Sequence, residues 1–117
     1  MNQREVGTSY EQKAGVFLTK KGYQVLEYNY RCRIGEIDII AKDGAYLVFV
    51  EVKYRKNAKK GYPIEAVGLR KQQKISMVAS YYCMQKGMWD TVPCRFDVVA
   101  ILGEEITLLQ NAFEYQQ

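Results

Sequence analysis

Residues 35–53 read GEIDIIAKDGAYLVFVEVK. Two apolar runs, rich in Ile and Val, flank Asp43-Gly44, a pair that tolerates the positive φ of a tight hairpin turn. The stretch therefore predicts two antiparallel strands. With Asp43-Gly44 as a two-residue loop, Lys42 pairs with Ala45, Asp38 with Phe49 and Glu36 with Glu51. Side chains alternate faces along a strand. Glu36, Asp38, Ile40, Leu47, Phe49, Glu51 and Lys53 then share one face, and Ile37, Ile39, Val48, Val50 and Val52 the other.

Four charged residues interrupt what would otherwise be buried runs: Glu36, Asp38, Glu51 and Lys53. In this register Asp38 and Glu51 are diagonal neighbours, with backbones about 7–8 Å apart. Two carboxylates at that spacing can lean onto one cation through oxygen bonds of about 2.0–2.1 Å, as Mg²⁺ requires. Like charges opposed across strands destabilise the pair, and Lys53 supplies one positive charge against three negative ones. A divalent cation would balance the set. A Lys53–Glu51 salt bridge, with the acids at a solvated sheet end, accounts for the same residues.

Working outward, the chain of 117 residues has the length of a single domain and carries a net charge of +4. No apolar run approaches the roughly 18–20 residues of a membrane span. The N-terminal MNQREVGTSYEQK has no hydrophobic signal region, so a soluble cytoplasmic protein is expected. There is no histidine, and the three cysteines form no CxxC pair, which argues against zinc and excludes histidine-dependent acid–base chemistry. Any catalysis must use carboxylates, Lys, Tyr or a metal.

The positive charge is uneven. From Lys53 to Lys74 there are eight basic residues and one acid, Glu65. Such a concentration beside acids suits a polyanion, although a solvated Lys-rich loop needs no partner. Arg33, Arg55, Lys56, Lys59, Lys60, Arg70, Lys71, Gln72 and Lys74 are the candidate phosphate or base contacts, and Tyr54 and Tyr62 flank the run as rings for a base or sugar. The tyrosines serve equally as anchors for the loop.

Thr8 to Glu11 matches a capping box, predicting a helix from Thr8 that buries Tyr10, Ala14, Phe17 and Leu18 and stops at Gly22. Residues 1–7 read as a loose arm. YQVLEYNY (23–30) predicts a strand. A second helix, beginning at Pro63 or Leu69 and running to about Lys86, has a buried stripe of Ile75, Val78, Ala79 and Tyr82. Trp89 is expected to cover the core edge. RFDVVAIL (95–102) and ITLLQ (106–110) complete the strands, with Asp97 unexplained. The order αβββαββ implies a meander, then a helical crossover to a parallel strand: a three-layer α/β core around one mixed sheet.

An acid in the first helix, an Asp in the second strand and Glu-X-Lys in the third resemble the PD-(D/E)XK nuclease superfamily, including Holliday-junction resolvases. More closely, YEQKA (10–14), GYQVLEYNYRCRIGEIDIIA (22–41), LVFVEVKYRK (47–56), AVGLRKQQK (66–74), PCRFDVVAI (93–101) and NAF (111–113) resemble the UPF0102 (YraN-like) family. The resemblance implies a restriction-endonuclease-like fold and a metal-dependent endonuclease acting on DNA, branched or junction DNA included. Asp38, Glu51 and the Val52 carbonyl would hold Mg²⁺ or Mn²⁺, Glu11 would support the metal, and Lys53 would orient the attacking water. Two departures stand out: Ile37 replaces the superfamily's Pro, and Tyr10 stands where many relatives have Gly. Symmetric cutting of a junction would require a homodimer, for which the sequence offers no self-complementary surface. The alternatives are a nucleic-acid-binding module on a nuclease fold with little or no catalysis, or an adaptor for a protein partner. Glu36 could serve beside the site or pair with Arg33 or Arg55.

Overall fold

The computed structural model describes residues 3–57, 59, 67–88 and 91–117, with the backbone alone for residues 3–8. Lys60, Tyr62, Pro63 and Trp89, on which expectations were placed, lie outside the described residues. The elements are α1 (Gln3–Lys20), β1 (Gln24–Arg31), β2 (Glu36–Asp43), β3 (Tyr46–Arg55), α2 (Leu69–Gln85), β4 (Cys94–Leu102) and β5 (Glu105–Phe113). The order αβββαββ is as the sequence implies. The five strands form one sheet in chain order, antiparallel throughout except for the β3–β4 pair, which α2 bridges as a crossover.

The sheet is covered on both faces, which gives three layers. Ile40, Leu47, Phe49 and Phe96 pack with Ile75, Val78 and Tyr82 of α2. Ile39, Val48, Val50 and Val99 pack with Ala14 and Leu18 of α1. Each fully buried side chain of this size contributes about 1.5–3 kcal/mol. β3 is central and apolar on both faces, as a doubly covered strand must be. At the end of α1, Gly22 adopts φ +97 and the Tyr23 amide reaches back to the Leu18 carbonyl at 3.0 Å.

Three expectations need correction. α1 begins at Gln3, five residues before the expected start. Gln3, Arg4 and Glu5 are good helix formers, so the Thr8–Glu11 pattern lies within the helix and is no cap. The hairpin loop is Gly44-Ala45, with Asp43 paired to Tyr46 and Ile39 to Val50. Gly44 supplies the positive φ, +60. Asp43 stays in the strand because its Oδ2 accepts a hydrogen bond from Arg95 at 2.8 Å, a partner no local rule could reveal. The shift of two residues preserves which face each side chain takes, with one exception. Ile37 packs in the α2-side cluster together with Ile40, while Ile39 packs on the α1 side. The alternation therefore breaks at Asp38.

Candidate functional site

The break at Asp38 is matched on the neighbouring strand. Tyr28 pairs with Ile39 and Tyr30 with Ile37, so Asn29 lies across from Asp38. Tyr28 lies over Gly15 of α1, whereas Tyr30 meets Tyr82 of α2 edge-on at 5.1 Å. Asn29 makes this switch of face possible by taking the left-handed region, φ +52, which Asn tolerates better than most residues. On the other side, the described β2–β3 pairing starts at Ile39↔Val50. Beyond it, the Val52 N–H donates to Asp38 Oδ2 at 2.8 Å. A side chain thus closes the join where the strands part.

Three carboxylates from three elements meet here. Glu51 ends the buried run of β3 and is only 6% exposed. Its Oε1 lies 3.4 Å from Lys53 Nζ and 3.7 Å from Lys71 Nζ. Asp38 is held in protonated form up to about pH 8: burial is the largest cause, then the Glu51 charge, with Glu11 adding and the Val52 N–H and Lys71 opposing. Glu11 of α1 is also pushed up, first by burial, with the Asn29 amide drawing it partly back. Its Oε2 is buried with no hydrogen-bond partner among the described residues.

The sequence-derived quartet Glu11, Asp38, Glu51 and Lys53 is therefore brought together, and the Lys53–Glu51 pair exists, though not at a solvated end. Glu36 stands at the edge of the group, where its charge adds to the burial that raises Glu11 and that of Arg31 opposes it. It pairs with Arg31 at 3.1 Å on the surface, rather than with Arg33 or Arg55. Lys71, named as a candidate phosphate contact, reaches Glu51 from the first turn of α2 and supplies the second positive charge. Asn29 was missed, although Asn in the middle of an aromatic strand is itself a signal.

The remaining basic residues make no ion pair with these acids among the described residues. Arg33, Lys56, Lys59, Arg70 and Lys74 are exposed, and Arg55 is half-buried. Arg55, Lys56 and Lys59 line a hollow of about 400 Å³ with Tyr54 and Asn57. Gln72 spends its Nε2 on the Val67 carbonyl at 3.0 Å. Tyr54 stacks on Tyr10 at 3.8 Å between ring centres, so it anchors the end of β3 to α1.

Among the described residues, no three His, Cys, Asp or Glu side chains stand arranged to hold a metal ion. The donor chemistry nevertheless fits a hard cation: three carboxylates and the Val52 carbonyl are all oxygen donors suited to Mg²⁺ or Mn²⁺. An unsatisfied buried oxygen such as Glu11 Oε2 costs about 1–3 kcal/mol until something satisfies it.

Residues 10–101 match the family described as "Uncharacterised protein family UPF0102". The chain belongs to the UPF0102 family. It is 51% identical to a UPF0102 protein of Lachnoclostridium phytofermentans over 97% of each chain. It is 48% identical to one of Clostridioides difficile and 46% to one of Caldicellulosiruptor saccharolyticus, each over 97% of this chain and 100% of the relative. The segment matched to UPF0102 runs from Tyr10 to Ile101 and includes Glu11, Asp38, Glu51, Lys53 and Lys71. No helix among the described residues is long and apolar enough to cross a membrane.

Proposed function

We propose that this UPF0102 protein is a divalent-cation-dependent nuclease that hydrolyses phosphodiester bonds in DNA, branched or junction DNA included. The observation that carries the reading is the meeting of Glu11, Asp38 and Glu51, from α1, β2 and β3, beside Lys53 and a basic rim. Gathering like charges at a partly buried point is unfavourable for stability alone. Such strain is characteristic of functional sites.

In this reading Asp38, Glu51 and the Val52 carbonyl hold Mg²⁺ or Mn²⁺. When bound, the cation would supply charge neutralisation at the phosphate and acidify a water. Lys53 orients that water and stabilises charge on the phosphorus centre, and Glu11 supports the acidic set from the α1 side. Arg55, Lys56 and Lys59, which line one hollow, would receive phosphates that flank the scissile one, and Lys60 follows them in sequence.

The test is Glu51→Ala assayed with Mg²⁺ or Mn²⁺ on linear, flapped and four-way DNA. Cleavage should be lost while DNA binding is retained or strengthened, because a negative charge has left the interface. Cleavage that persists in the variant would rule out the site. A wild-type protein that binds these DNAs but cuts none would leave the binding-module reading in its place.

A further inference from the structure

Lys53 and Lys71 both converge on one oxygen, Glu51 Oε1, at 3.4 and 3.7 Å. Lys53 comes from the same strand as Glu51. Lys71 comes from α2, on the far side of the crossover, and its side chain is 42% exposed. An amine at this distance occupies much of the space, and supplies the charge, that a cation on Glu51 would need. Its partial exposure leaves it room to turn outward. The first turn of α2 contains no acid, so a displaced ammonium finds no carboxylate on its own turn. The helix end favours an anion instead.

We propose that Lys71 is a built-in competitor for the divalent cation: it holds Glu51 while the cation is away, and turns to the substrate phosphate once Glu51 is claimed. The inference rests on the nuclease reading. Its consequence is cooperativity between cation and phosphate, since each frees what the other needs, and by linkage the effect is mutual.

The test measures Mn²⁺ binding to DNA-free protein by calorimetry, and then binding of a duplex with a non-hydrolysable backbone with and without Mn²⁺. Lys71→Met should bind Mn²⁺ more tightly than wild type, by about two- to fivefold for a half-exposed pair. In wild type, Mn²⁺ should strengthen duplex binding, and Lys71→Met should lose most of that gain. Lys71→Arg, which keeps the charge, should stay near wild type in Mn²⁺ affinity. A structural role alone would not tighten metal binding. If wild type binds Mn²⁺ and Lys71→Met binds it equally or more weakly, the proposal falls while the nuclease reading stands. If the metal tightens but the Mn²⁺-dependent gain in duplex binding survives, the transfer to phosphate is wrong. A wild-type protein that binds no Mn²⁺ overturns both readings.

Discussion

At the scale of single residues, two aspartates in neighbouring parts of one sheet have opposite fates. Asp97 is fully buried, yet every charge on it is answered. Tyr23 donates at 2.6 Å, Arg95 through Nε and Nη2 at 2.9 and 2.8 Å, and the Asn111 N–H at 2.9 Å. Arg95 in turn reaches Asp43, so the network ties β2, β4 and β5 together at the hairpin end. Asp97→Ala would strand Tyr23, Arg95 and Asn111, and should cost about 3–5 kcal/mol in urea unfolding; a change under 1 kcal/mol would contradict the network's structural role. Asp38 is answered by one N–H and the more distant Lys71 charge, and opposed by Glu51 and Glu11. Its pKa of about 8 against an ordinary 3.8 means the folded state binds a proton the unfolded state has released. That penalty is absent below pH 3.8 and grows as pH rises toward 8. Asp38→Asn should therefore stabilise metal-free protein by on the order of 1 kcal/mol at neutral pH. The advantage should vanish near pH 4, and thermal melts at the two pH values decide it.

Elements were legible where the cause was local. The strands of the hairpin follow from alternation and a Gly turn, and α2 from its stripe of Ile75, Val78, Ala79 and Tyr82, all of which are buried. The errors arose where a distant residue decided. The hairpin register depends on Arg95 holding Asp43 in β2. The face of Ile37 depends on the paired irregularity at Asn29 and Asp38. Lys71 was read only as a candidate phosphate contact, and its ion pair with Glu51 was not foreseen because only the crossover of α2 brings the two together. The quartet of site residues was legible through the resemblance, since sequence spacing alone left a plain salt bridge equally open. The segment after β3 makes its own prediction. Lys59 is exposed beside the hollow lined by Arg55 and Lys56, so Lys59→Glu combined with Lys60→Glu should weaken DNA binding and lower the slope of log affinity against log salt by about two to four. An unchanged slope would remove this segment from the interface.

For the whole molecule, three layers meet at the acids: α1 brings Glu11, the sheet brings Asp38, Glu51 and Lys53, and α2 brings Lys71. A cation bound there would tie α1 to the sheet in the folded state and nothing in the unfolded one. At about a hundred times its dissociation constant, Mn²⁺ should add about 2.7 kcal/mol and raise the melting temperature by about 10 °C, reversibly with a chelator. Glu51→Ala should show no such rise; a similar rise in that variant would place the cation elsewhere. The Val52 amide offers a way to watch this place without metal or substrate. In a central strand most N–H groups are shielded by a neighbouring backbone, but this one is shielded by a carboxylate. Its hydrogen-exchange rate and chemical shift should therefore report on Asp38 as an embedded sensor, one that loosens in Asp38→Ala while the Val50 amide two residues away keeps its protection.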